Sequence, residues 1–274
     1  MLHLVAQWLS ERFGVPFVVE NMPGAGTNIA TASVVRAPAD GYTLLVITPA
    51  NTINASLYDK LDFDFGRDIR PIASLIRSPY VLEVFPGFPA TTVPELIAYA
   101  KANPGKINIA SFGTGTASHL SGEMLQMRVQ LLHVPYKGSA PMLTDLLGGQ
   151  VQVAFDNLPA SIEHIRAGKL RALAVSTAKR SETIPEVPAL AEFLPGFETS
   201  SWLAVGAPSK TTPEIVYTLN KEINAALVDP KVKAKLASLG ATVLASSPAD
   251  AATLIDEDTE KWRKVVKFSG AKSN

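Results

Sequence analysis

Between residues 107 and 175 the hydrophobic period switches back and forth. Short apolar runs at 107–110, 131–134, 151–155 and 171–175 are separated by segments with helical spacing at 117–127, 140–147 and 159–167. Such an alternation leaves a chain few options, because each helix has to carry it back across the sheet it has just left, so parallel strands covered by helices are predicted. A less regular version precedes it, with helix 2–13, strand 16–20, helix 27–36 and strand 43–47. The expectation is an α/β protein of two units, each a mainly parallel sheet flanked by helices.

Helix starts are marked in the sequence. Thr92 and Glu95 have the spacing of a capping box around Pro94, and Thr212-Pro213, Asp229-Pro230 and Ser247-Pro248 each set a cap before a proline that suits the first helical position. The last three predict helices 213–227, 231–239 and 249–267. These have no strands of their own to cover, so they are expected to return to the first lobe, which then consists of 1–104 and 205–274 with 105–204 inserted. Chain crossings near Pro104-Gly105 and 205–208 would act as hinges. In open α/β sheets ligands bind beyond the carboxyl ends of the strands, here the loops 48–54, 111–118, 135–139 and 156–159, which a cleft between lobes would gather.

Composition excludes several classes. Twenty-five basic residues balance twenty-five acidic ones and no Lys/Arg run stands out, which argues against a nucleic-acid partner. No apolar run reaches the ~18 residues of a membrane span, and Met1-Leu-His-Leu does not read as a leader. The absence of cysteine removes thiol chemistry, disulfides and Cys-based metal sites. Eighteen glycines and twenty prolines are scattered rather than clustered, so disorder is expected only after about residue 268.

The loop Ser111-Phe-Gly-Thr-Gly-Thr-Ala-Ser-His119 follows the 107–110 strand and opens a helix. Glycines permit a tight turn, the first amides of a helix lack internal acceptors, and hydroxyls add donors, so the loop reads as an anion cradle or as an ordinary capped turn. It is not a dinucleotide fingerprint, since Ser118 stands where the third glycine belongs. Catalytic patterns fare worse. Ser176-Thr-Ala-Lys179 lacks its companion motifs, and the four histidines show neither H-E-x-x-H nor i, i+4 pairing. Asp256-Glu-Asp258 reads as a solvated helix face.

Together these stretches resemble the Bug-type periplasmic receptors of tripartite tricarboxylate transporters. The resemblance is carried by Val18-Val-Glu-Asn-Met-Pro-Gly-Ala-Gly26, Asp40-Gly-Tyr-Thr-Leu44, Ala110-Ser-Phe-Gly-Thr-Gly-Thr-Ala-Ser-His-Leu120, His133-Val-Pro-Tyr-Lys-Gly-Ser-Ala-Pro141, Asp145-Leu-Leu-Gly-Gly-Gln-Val151 and Gly168-Lys-Leu-Arg-Ala-Leu-Ala-Val175, in an order that holds from about 2 to 268. It implies a two-lobed periplasmic-binding-protein-like fold closing on a small organic anion: a di- or tricarboxylate, an acidic amino acid or an aromatic acid. It also implies a strand and glycine-rich loop ahead of helix 2–13, so the N-terminal strand of the first lobe is expected to be missing from this chain.

Carried over by position, Ser111, Thr114, Gly115, Thr116 and Ser118 would hold a carboxylate through amides and hydroxyls. Thr48 and Asn51, just after strand 43–47, are expected to face them, or to serve as turn residues only. Asp156, at a strand's carboxyl end, would meet a ligand ammonium group, hold a water or cap a helix. Trp202 would line the pocket or pack at the hinge. Gly24 and Gly26 are read as turn glycines and Lys137 as a solvated lysine. The resemblance further implies periplasmic location, a membrane permease as partner, no cofactor, no metal, no catalysis, no membrane insertion and a monomer. An α/β enzyme using His119 or Asp156 as base, or a receptor serving a membrane sensor, are the alternatives.

Overall fold

A computed structural model describes residues 1–269 apart from Pro23, Asp59 and Met127. The tail expected to be disordered falls, from residue 270 on, outside the described residues. In chain order the first elements are α1 (Leu2–Phe13), α2 (Asn28–Val35), β1 (Leu45–Ile47), α3 (Pro49–Leu57), α4 (Phe65–Asp68), β2 (Ile69–Ser78), β3 (Tyr80–Val84), α5 (Val93–Ala102), β4 (Asn108–Ser111), α6 (Ala117–Gln126) and β5 (Leu132–Pro135). Then come α7 (Ser139–Leu147), β6 (Val153–Asn157), α8 (Leu158–Arg166), β7 (Arg171–Val175), β8 (Ser201–Pro208), α9 (Pro213–Val228), α10 (Pro230–Ser238), β9 (Thr242–Val243) and α11 (Pro248–Ser269).

One compact unit is Met1–Arg77 with Trp202–Val266, and the other is built on Ser78–Ser201. The first crossing therefore lies at Arg77 to Ser78 and not near Pro104-Gly105; the second lies at Ser201 to Trp202 rather than 205–208. β3 explains the larger discrepancy. It is bonded antiparallel to β6 on one side, with Val81 opposite Asp156, and to β7 on the other, with Val81 opposite Val175, so it belongs to the second unit's sheet.

In the first unit the strand order is β1-β8-β2-β9. β1 pairs antiparallel with β8, Ile47 against Ala204, and β2 pairs antiparallel with β9, so the expectation of a mainly parallel sheet fails for these pairs. Residues 16–20 form no strand: the Phe17 amide donates to Ser10 Oγ at 2.8 Å and Val18 is 82% exposed. The apolar face of α1 buries Val5 and Leu9 against Val216, Leu219 and Ile223 of α9 and Leu236 of α10. Each such side chain contributes about 1.5–3 kcal/mol on burial.

The second unit's sheet runs β5-β4-β6-β3-β7. β4 is parallel to both β5 and β6, as the 107–157 alternation requires, and β3 is the antiparallel member. Met142, Leu143 and Leu146 of α7 cover Ala110 and Ala154. Leu158 and Ile162 of α8 pack with Val175, Ile184 and Val187. The carboxyl ends of parallel β4, β5 and β6 thus deliver the 111–118 loop, the turn before Ser139 and the turn at Asn157.

Candidate functional site

Where β4 gives way to α6, Gly113 (φ 150°) and Gly115 (φ 76°) hold backbone conformations that favour glycine. A Cβ on Gly113 would also sit 3.3 Å from Thr116 Cγ2. The hydroxyls of this loop turn inward. Thr116 Oγ1 donates to the Gly113 carbonyl at 2.7 Å and accepts from the His119 amide at 3.3 Å, while Ser118 Oγ donates to the Phe155 carbonyl at 2.6 Å. Ser111 Oγ lies 2.7 Å from His133 Nε2 and accepts from the Gly113 amide at 3.3 Å. The Gly115 amide is spent as well, on His119 Nδ1 at 3.2 Å.

What remains are main-chain donors. Among the described residues nothing accepts from the amides of Thr114, Ala117 and Ser118, at the bend and in the first turn of α6. Ala117 and Ser118 are buried, and a buried amide without an acceptor costs about 1–3 kcal/mol. Three donors in one turn, beside the positive end of a helix, suit a carboxylate or another small anion. The structure therefore brings Ser111, Thr114, Gly115, Thr116 and Ser118 together as the sequence predicts, with a correction: the hydroxyls of Ser111, Thr116 and Ser118 and the Gly115 amide build the loop, and they are not its free donors.

Asp156 also differs from expectation. It ends β6, but its side chain is fully buried, accepting from Ser139 Oγ on both carboxylate oxygens, from the Asn157 amide at 2.8 Å and from Ser161 Oγ at 3.4 Å. It fastens the start of α7 to the start of α8 and offers nothing to a ligand ammonium group. Glu83 of β3 lies on the same sheet face and takes the Ser161 hydroxyl at 2.8 Å. Burial pushes the Asp156 carboxyl up to about 6. It pushes Glu83 well above the usual carboxylate range, and the neighbouring Asp156 charge adds to the effect.

In the first unit Thr48 and Asn51 are turn residues. Thr48 Oγ1 accepts from the Ala50 amide at 3.2 Å, Asn51 Oδ1 accepts from the Thr48 amide at 2.8 Å, and Asn51 Nδ2 donates to Thr31 Oγ1 at 2.9 Å. Both side chains are consumed in starting α3, a reciprocal cap with Pro49 at the first helical position. Trp202 is 1% exposed, packed among Val34, Leu45, Ile47 and Phe65. It is a core residue, not a lining one. Asp258 departs from the solvated face expected of it: it accepts from Thr52 Oγ1 at 2.7 Å and from Trp262 Nε1 at 3.0 Å, and burial raises its carboxyl. Gly24 (φ 121°) and Gly26 (φ 58°) shape the turn before α2, where Asn54 Nδ2 bonds the Gly26 carbonyl.

Neither catalytic pattern assembles. Ser176 is fully buried with its hydroxyl on the Thr199 carbonyl at 2.7 Å, which disposes of the Ser-x-x-Lys reading. Ser111 and His133 have the spacing of a nucleophile and base, but Ser111 is 1% exposed and already held by Gly113. A groove of about 450 Å³ on the first unit, lined by Phe13, Val15, Phe17, Tyr42 and Ile215, has Asp40 and Glu214 as its charged members and would repel an anion. No cluster of His, Asp and Glu suited to a metal occurs among the described residues.

Two α/β units, one with an open-donor loop at the head of a parallel strand pair, define a solute-binding protein of the periplasmic binding type. BugD, a periplasmic binding protein, is 34% identical with a TM-score of 0.92, over all of this chain and 93% of that one. Rpa4515 of R. palustris, solved with adipate, is 40% identical with a TM-score of 0.94, over 99% of this chain and 92% of that one. BugT of Bordetella pertussis is 38% identical over 277 residues, 99% of this chain and 85% of that protein. The family described as tripartite tricarboxylate transporter family receptor matches residues 1–270, and the chain belongs to it.

Proposed function

We propose that the protein captures a small organic carboxylate in the periplasm and delivers it to the membrane permease of a tripartite tricarboxylate-type transporter, without chemical turnover. The observation that carries this reading is the set of unclaimed amides at Thr114, Ala117 and Ser118 in the loop that opens α6. Main-chain donors at a helix start recognise a carboxylate by geometry, with no basic side chain to discriminate among anions. Rpa4515, with adipate bound, supports a dicarboxylate as the ligand class. An acidic amino acid is less well supported, because Asp156, the group a ligand ammonium would need, is buried and fully bonded.

A thermal-shift screen of mono-, di- and tricarboxylates of two to eight carbons tests the proposal. Ligand at 100 times its Kd stabilises by about 2.7 kcal/mol, which for a chain of this size raises Tm by roughly 5–10 °C. Stabilisation by at least one dicarboxylate, recovered unchanged from the protein, is the expected result. A flat response across the series at millimolar concentration would overturn it.

A further inference from the structure

Two imidazoles stand behind the anion loop. His119 of α6 and His133 of β5 stack with ring centroids 4.1 Å apart and planes 24° apart. His133 holds one end of the loop through Ser111 Oγ at 2.7 Å, and His119 holds the other through the Gly115 amide at 3.2 Å. A main-chain N–H can only donate, so His119 Nδ1 must carry a lone pair and its proton must sit on Nε2. That nitrogen faces Glu123 Oε1 at 3.5 Å, one helical turn on, and the Glu123 carboxyl lies below its ordinary range chiefly through the His119 N–H. The tautomer is thus fixed at both ring nitrogens.

We propose that His119 is a positioning residue of the anion loop: through Nδ1 it takes up the Gly115 amide and fixes the bend that leaves the Thr114, Ala117 and Ser118 amides to the ligand. This deepens the receptor reading and rests on it for the ligand, but not for the hydrogen bond itself. The titratable groups facing His119 are Glu123 on its own helix and His133 on β5. β4 contributes none, and Asp156 of β6 turns its carboxyl to Ser139 and Ser161.

The test uses the full chain labelled with 15N, with adipate as the probe, in wild type, His119→Asn and His119→Leu. Asn places its Oδ1 where Nδ1 stood, whereas Leu offers no acceptor. In wild type the His119 ring is expected in the Nε2–H form, with Nδ1 accepting from the Gly115 amide. His119→Asn keeps the Gly115 shift near its wild-type position and holds adipate within about threefold of wild type. His119→Leu displaces the Gly115 resonance and weakens adipate at least tenfold. A His119 ring protonated at Nδ1 at neutral pH, or a Gly115 amide indifferent to His119→Leu, overturns the proposal. If wild type binds no adipate and no other carboxylate, the receptor reading fails, and the Gly115 resonances still decide the role of His119.

Discussion

Two strand-to-helix turns, one in each unit, end up with opposite properties. In the first unit, the turn from β1 into α3 is closed: Pro49 has no N–H, Thr48 takes the Ala50 amide, and Asn51 reaches back to the Thr48 amide and across to Thr31. In the second unit, the turn from β4 into α6 bends through two left-handed glycines, its hydroxyls bond to carbonyls and neighbouring groups, and the amides of Thr114, Ala117 and Ser118 are left over. The difference lies in where the capping groups point. A polar side chain reaching back from the third helical position seals a helix start; glycines that swing the chain wide leave it open to an anion.

Substitutions at the two turns should therefore separate stability from binding. The largest effect is expected from Asn51→Ala, which strands the Thr48 amide and takes one of its two partners from the buried Thr31 hydroxyl, and should cost about 2–3 kcal/mol in urea unfolding, with carboxylate affinity unchanged. Ala117→Pro does the reverse. Proline suits the first position of a helix and removes one unbonded donor, so Tm should hardly move, whereas calorimetry should show carboxylate affinity falling about tenfold to a hundredfold, the worth of one hydrogen bond to a charged group. Equal losses of stability and affinity in either variant would erase the contrast.

The second unit's sheet adds a contrast in pH. Burial, with the nearby His119, lowers His133 to about 4 from the ordinary 6.5, so below 6.5 the unfolded chain takes up a proton that the folded one refuses. That stability is present above pH 6.5 and declines as pH falls toward 4, by about 1–2 kcal/mol after allowance for partial exposure; His133→Asn should flatten the acid limb of a Tm–pH curve. Asp156 and Glu83 run the other way. Their carboxyls are raised, so their contribution is full below the ordinary carboxylate range and is lost as pH rises through about 6 for Asp156 and higher for Glu83. Glu83→Gln keeps an acceptor for Ser161 and should raise Tm at pH 8 relative to pH 5, measured against wild type. Smallest is Thr116→Val: loss of its bonds to Gly113 and His119 should cost about 0.5–1.5 kcal/mol and weaken carboxylate binding only a few-fold.

Helices were legible wherever local chemistry decides. Asp229 does cap α10, accepting from the Lys231 and Val232 amides at 2.9 and 3.0 Å, and Thr92 caps α5. β2, β3 and β8 were not legible. β3 reads Tyr-Val-Leu-Glu-Val, and its charged residue breaks the apolar run, though all five are buried; its partners lie some 70 to 95 residues away in β6 and β7, beyond any local pattern. The 111–118 loop was legible as donors at a helix start, because glycine and hydroxyl residues cluster there. Which donors stay free depends on Phe155, His133 and His119, and spacing does not report tertiary partners. Spacing left Trp202 between lining a pocket and packing, and Asp156 between meeting a ligand, holding a water and capping a helix; packing from distant segments closes both.

The most direct test is a titration of the 15N-labelled protein with adipate, following the amide resonances of Thr114, Ala117 and Ser118 against those of Ala50 and Asn51. Saturable downfield shifts at the first three, with the α3 pair unmoved, are what an open turn taking a carboxylate predicts. Saturation of the protein with those three resonances unchanged would contradict it.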